Sequence, residues 1–182
     1  MRKKMFHQGL FIGRFQPLHK GHLLAIREIF SQCDRLTLGI GSVNARGGKR
    51  NPFSVAERRE MIRRAMKEIG ARKYEIVEID DVPDHAEWAQ LVREKAGDFD
   101  MCWAGQGRVI DIFKKARLPV TAIKEFPGLS GTRIRRDMEQ GLPWRKYIPI
   151  SVRKYLDEIG AVRRVRALAK KQVPAVSGVA RS

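Results

Sequence analysis

The apolar positions of this chain change period repeatedly from one segment to the next. Gly9-Leu10-Phe11-Ile12-Gly13 is a short continuous apolar run, which predicts a buried strand. From Gly21 to Ser31 the residues Leu23, Leu24, Ile26, Ile29 and Phe30 fall at helical spacing. Leu36 to Gly41 predicts a second strand. Ser54-Val55-Ala56-Glu57 is a capping box opening a helix that carries Met61, Ile62, Ala65, Met66 and Ile69, closed by Gly70. Tyr74 to Ile79 predicts a third strand. Asp84-His85-Ala86-Glu87 repeats the N-terminal signature before Trp88, Leu91 and Val92. Residues 101–104 and 120–123 predict strands four and five, with a short helix over 109–116 between them. Ser130 caps a helix to about Gln140, stopped by Gly141 and Pro143. A last helix is expected over 151–159, stopped by Gly160.

Strand alternating with helix five times implies a parallel sheet covered on both faces, and right-handed crossovers make it doubly wound. The expected class is therefore α/β, a Rossmann-like five-stranded parallel sheet with strand order 3-2-1-4-5. In such folds ligands sit beyond the carboxyl ends of the strands, at the topological switch point. The 182 residues suit one domain, expected over 5–165. Residues 166–182 are expected as a basic tail without fixed structure, because no periodicity survives past about Leu168.

No apolar run approaches the ~20 residues that span a bilayer. Met1 to His7 lacks the apolar stretch of a signal peptide. Cys33 and Cys102 have neither metal-ligand spacing nor the look of a disulfide scaffold, so a cytoplasmic protein is expected. Charge changes the picture more. Thirty-seven Lys and Arg stand against 20 acids, a net charge of +17. Such a field attracts nucleic acid, acidic membrane or phosphorylated small molecules. Over half of the net charge lies between Ser130 and Ser182. Specific nucleic-acid binders interleave aromatics with basic residues for base stacking, and the stretch after Ala161 has none.

The candidate chemistry lies where the fold puts ligands. Strand one runs into Gly13-Arg14-Phe15-Gln16-Pro17-Leu18-His19-Lys20-Gly21-His22, and then a helix starts. Gly13 permits close backbone approach, and the helix N-terminus offers unpaired N–H groups to an anion. His19 and His22 are three apart, so both can face one ligand, and Arg14 adds a permanent charge. Ser130-Gly131-Thr132-Arg133-Ile134-Arg135-Arg136 opens another helix, with hydroxyls, cap N–H donors and guanidinium forks that suit phosphate.

These two segments resemble the HxGH and SxTxxR signatures of the nucleotidylyltransferase superfamily. Gly13 to His22 is similar, more narrowly, to the archaeal-type nicotinamide-nucleotide adenylyltransferases, as are Asn51 to Arg58 and Arg135 to Met138; the likeness covers about residues 9–160. The resemblance implies attack of the 5′-phosphate of nicotinamide mononucleotide on the α-phosphorus of ATP, forming NAD⁺ and pyrophosphate. It implies catalytic roles for His19, His22 and Arg14. ATP is expected on Gly13, Phe15, Gly21, Ser130, Thr132 and Arg135, with Mg²⁺ held mostly by substrate and water rather than by a protein metal site. Trp88 resembles the tryptophan that stacks on the nicotinamide ring. His85 stands where the family has Asn before that tryptophan, and it is expected in the acceptor pocket. The alternative is a different phosphorylated acceptor: nicotinate mononucleotide, a flavin or a pantetheine phosphate. The implied partners are ATP and a mononucleotide, with no specific nucleic acid, no membrane, and a homo-oligomeric assembly.

Overall fold

The computed structural model describes residues 4–45, 47–105 and 107–171. Five strands alternate with helices: β1 Phe6–Gly13, α1 Lys20–Gln32, β2 Cys33–Ile40, α2 Val55–Glu68, β3 Tyr74–Glu78, α3 His85–Ala96, β4 Met101–Ala104, α4 Arg108–Lys115 and β5 Val120–Ala122. Then come α5 Gly131–Gln140, a 3₁₀ turn Arg145–Tyr147, α6 Ile150–Glu158 and α7 Ala161–Lys170. All strand pairs are parallel, in the order β3-β2-β1-β4-β5, as the alternation of elements predicts.

Side-chain alternation assigns the layers. Phe11, Leu36, Leu38, Ile40 and Trp103 face α1, α2 and α5 to α7 in one apolar cluster. Leu10, Ile12 and Cys102 face α3 and α4 in the other. The chain leaves β1 toward β2 and β3, then returns to the far side of β1 for β4 and β5. The switch point therefore lies between β1 and β4, at their carboxyl ends. Among the described residues no helix is long and apolar enough to cross a membrane.

Two boundaries differ from the sequence expectation. β1 and β2 each begin three residues earlier, with Phe6 registered on Cys33. The polar start of β1 breaks the apolar pattern but is held by Asp100, whose carboxylate accepts from the His7 and Gln8 N–H groups at 2.8 Å. The second difference is α7. Gly160 does end α6, in a left-handed conformation at φ +63°, but a further helix follows at once. Its buried face is Ala161, Val165 and Ala169, at helical spacing among arginines, and the glycine that stops α6 also starts this helix. Residues 166–170 of the expected tail are thus helical, and 172–182 lie outside the described residues.

Candidate active site

β1 delivers Gly13 to the switch point, and the next six residues fold back over the strand ends. Phe15 takes φ +49° and lays its ring against Gly13, where an added Cβ would sit 3.0 Å from the ring. Gln16 turns inward: its side-chain amide pairs both backbone groups of Phe53, at 2.8 and 3.0 Å, fastening this loop to the segment before α2. A buried Arg58 completes the frame by donating to the carbonyls of Gly41, Arg14 and Ser42.

His19 is the N-cap of α1 and His22 its third residue. Each Nδ1 accepts from the other residue's backbone N–H, at 3.4 and 3.2 Å, a reciprocal capping box built from two imidazoles. The rings stack with centroids 3.7 Å apart, above Phe15. With both Nδ1 atoms accepting, the proton of each neutral ring resides on Nε2, which is left as the free donor. Burial lowers the His19 pKa to about 4. Burial, reinforced by His19, holds His22 well below its ordinary value. Both rings are therefore neutral near pH 7.

α5 brings its N-terminus to the same place. Ser130 accepts from the Arg133 N–H at 3.2 Å and caps the helix. Arg135, nearly buried, donates to the Gln16 carbonyl at 2.7 Å and to the Thr132 hydroxyl at 3.3 Å. Gly131 allows that approach, since a Cβ there would lie 2.9 Å from the Gln16 carbonyl oxygen. Arg135 has no carboxylate partner among the described residues. Burial, with Arg14 and Arg50 nearby, lowers its pKa to about 10. Arg14 is lowered for the same reasons, burial first and then Arg50, with Asp81 opposing. Neighbouring guanidiniums without matching carboxylates make a receptor for an anion. Arg133 and Arg136 instead turn away to the buried Asp137.

The cleft has two lobes. One, about 560 Å³, is lined by His19, Gly21, Ser130 to Thr132, Arg135 and the 123–129 segment. The other, about 660 Å³, is lined by Gly13, Arg50, Asn51, Asp81, Trp88 and Arg108. Arg14, His22, Gly105 and Ile123 border both, so the lobes meet at Arg14 and His22. Gly13, Arg14, Phe15, His19, Gly21, His22, Ser130, Thr132, Arg135 and Trp88 are all brought to this cleft. Trp88 is both a core and a cleft residue. It is 4% exposed, packs 6.1 Å from the Phe113 ring, donates from Nε1 to the Asp80 carbonyl at 3.1 Å, and still borders the second lobe. His85 is not brought in. It is the exposed first residue of α3, and it lines neither lobe.

Sequence reasoning assigned no site role to Arg50, Asn51, Asp81, Arg108 or the 123–129 segment. Arg50 and Asn51 sit in a Gly-rich loop directly after β2, the one available signal. Asn51 Oδ1 is buried without a hydrogen-bond partner among the described residues. No group of three or more His, Cys, Asp or Glu side chains is placed to hold a metal among the described residues. Asp81 and Glu125 are single acids, one in each lobe.

A switch-point cleft with two helix N-termini, unpaired guanidiniums and two chambers defines a nucleotide-handling α/β protein. The chain belongs to the cytidylyltransferase-like family, whose model matches residues 10–137. It is 41% identical over 165 residues to a nicotinamide-nucleotide adenylyltransferase of Pyrococcus abyssi, covering 89% of each chain. It is 39% identical over 167 residues to the protein of the same name from Pyrococcus furiosus, again covering 89% of both. Among solved structures, it is similar to a bifunctional NMN adenylyltransferase/ADP ribose pyrophosphatase of Francisella tularensis, crystallised with AMP and a manganese ion. The TM-score is 0.73 and the identity 21%, over 91% of this chain and 52% of that one. That likeness is one of fold.

Proposed function

We infer that this chain joins ATP and nicotinamide mononucleotide to form NAD⁺ and pyrophosphate. The observation that carries the reading is the pair of lobes meeting at Arg14 and His22. Adenylyl transfer needs two nucleotides in separate chambers with their phosphates at a common border. Identity of 38–41% to nicotinamide-nucleotide adenylyltransferases over most of the chain supports the same reaction.

ATP occupies the lobe at α1 and α5, and the mononucleotide the lobe at Trp88. An oxygen of the acceptor 5′-phosphate attacks the α-phosphorus. The bond from that phosphorus to the bridging oxygen breaks, and pyrophosphate leaves with the electron pair. The nucleophile is already an anion, so no general base is required. The protein supplies in-line placement and charge neutralisation. Arg14 neutralises the phosphates at the border of the lobes. His19 and His22 donate Nε2–H bonds to the triphosphate, and their neutrality in the free cleft costs nothing to this role. Arg135, the Thr132 hydroxyl and the N-terminus of α5 hold the departing pyrophosphate. The donor set is cationic rather than carboxylate, which fits a divalent ion that arrives on the triphosphate's own oxygens and water; that ion supplies further neutralisation.

The test is an end-point assay of pyrophosphate release with ATP, Mg²⁺ and a panel of phosphorylated acceptors, with product identified by chromatography. NAD⁺ from nicotinamide mononucleotide is expected. Turnover with flavin or pantetheine phosphate alone overturns the acceptor, and no pyrophosphate from any acceptor overturns the reaction.

A further inference from the structure

The reaction as described leaves two cations of the acceptor lobe without a task, Arg50 and Arg108, and only Arg108 stands beside the Trp88 ring among the described residues. Arg14 stands at the border where phosphates meet. Arg108 lies elsewhere in the lobe, as the first residue of α4, beside Trp88. Its guanidinium carbon is 6.0 Å from the Trp88 ring centroid. Nη2 donates to the Val82 carbonyl at 3.2 Å, and Nη1 stands 3.9 Å from the Asp81 carboxylate. Trp88 itself is fixed by the Asp80 carbonyl. Three consecutive residues, 80 to 82, therefore hold an aromatic platform and a guanidinium at a set separation, both bordering the same chamber.

We propose that Arg108 is a specificity-determining residue: it reads the charge of the substituent on the acceptor ring at Trp88, and so admits the nicotinate as well as the nicotinamide mononucleotide. A flat ring lying against Trp88 in this lobe brings its substituent within reach of the guanidinium. Arg108 has five N–H donors and no acceptor. The Val82 bond uses one of them, and the Asp81 contact is long and half-exposed, a weak ion pair that yields readily. The remaining fork matches a carboxylate bidentately and with charge, whereas an amide offers it one neutral oxygen. The charges of the lobe agree. Arg14, Arg50 and Arg108 line it against the single acid Asp81 among the described residues. An acceptor carrying a phosphate and a ring carboxylate balances that excess better than one carrying a phosphate alone.

This inference rests on the adenylyl-transfer reading, and the experiment separates the two. The ratio of kcat/KM for nicotinate mononucleotide to that for nicotinamide mononucleotide is measured in the wild-type enzyme, Arg108→Gln and Arg108→Lys, with the KM for ATP alongside. The wild-type enzyme is expected to use both acceptors. Arg108→Gln should lower the ratio roughly 5- to 30-fold, the loss of a half-exposed charge-assisted contact, with a smaller loss for the amide substrate and with the KM for ATP, bound in the other lobe, unchanged. Arg108→Lys keeps the charge, loses the fork, and should fall between. An unchanged ratio in Arg108→Gln, equal losses for both acceptors, or a wild-type enzyme that rejects the acid each overturns the role of Arg108 while leaving adenylyl transfer standing. A wild-type enzyme inactive with both acceptors overturns the reaction, and this inference with it.

Discussion

His19 and His22 each hold two tasks that substitution can separate. As caps they offer Nδ1 to a backbone N–H, and in the proposed mechanism they offer Nε2–H to the triphosphate. A serine is a good N-cap acceptor, and glutamine suits the third position of a capping box. His19→Ser and His22→Gln should therefore preserve the melting temperature while each lowers turnover by about 10- to 1000-fold, the scale of a lost oxyanion donor. His19→Ala should lose the cap as well, lowering the melting temperature by roughly 2–4 °C more for about 1 kcal/mol. Near-normal turnover in the capped variants would make the pair a structural motif alone. These two residues were legible in the sequence because cap, ring pair and helix start all lie within four positions. Gln16, Arg58 and Arg108 were not, since their partners stand 37, 16–44 and 26 residues away.

Among the elements, α5 and α7 show how the anion lobe is braced from behind. α5 packs Ile134 and Met138 into the main cluster, and α7 closes over that cluster with Ala161 and Val165. Arg164 of α7 reaches both carboxylate oxygens of Glu57 at 2.6 Å, and Glu57 is the residue that completes the α2 capping box. Arg166 donates to the carbonyl of Glu139, near the end of α5. A chain ending after Lys171 should keep its melting temperature and its activity. One ending after Gly160 exposes the apolar patch under α7 and should melt about 10 °C lower, for a burial loss of roughly 3–5 kcal/mol. Equal melting temperatures for the two chains would remove α7 from the core. The helix escaped sequence analysis because Gly160 reads as a stop, whereas the same residue both follows the end of α6 and starts α7.

At the scale of the whole molecule, charge and burial act together on acid. The unfolded chain binds a proton on a histidine near pH 6.5, whereas folded His19 does so only near pH 4. Between those values the unfolded state holds more protons, so stability rises with pH. The contribution is fully present above about pH 6.5 and is lost as pH falls toward 4, on the order of 3 kcal/mol for His19. His22 acts in the same direction. The net charge of +17 grows over the lower part of that range as carboxylates are protonated, and self-repulsion adds to the loss. Thermal melts across pH 7 to 4 should show a steep fall in melting temperature. His19→Asn should flatten the part due to the ring, and added salt should recover only the part due to repulsion. A flat profile would mean that the rings titrate in the folded protein as they do in the unfolded chain.

The sequence by itself determined the five strands, the helices α1 to α6, the class of sheet and the two motifs at its switch point. Period, caps and turn residues are local properties, and each needs only a few neighbouring positions to act. It also placed nine of the candidate residues in two short runs, each of which starts a helix at the cleft. Only the tertiary structure decided that these runs share a wall: Arg135 meets the Gln16 carbonyl across 119 residues, and Gly131 leaves the space for it. It alone divided the cleft into two lobes, turned Arg133 and Arg136 away, left His85 outside and brought Arg108 in. Those outcomes depend on which distant backbone groups and charges come within a few ångströms when the sheet closes. Hydrogen bonds and ion pairs of that range leave no periodic trace along the chain.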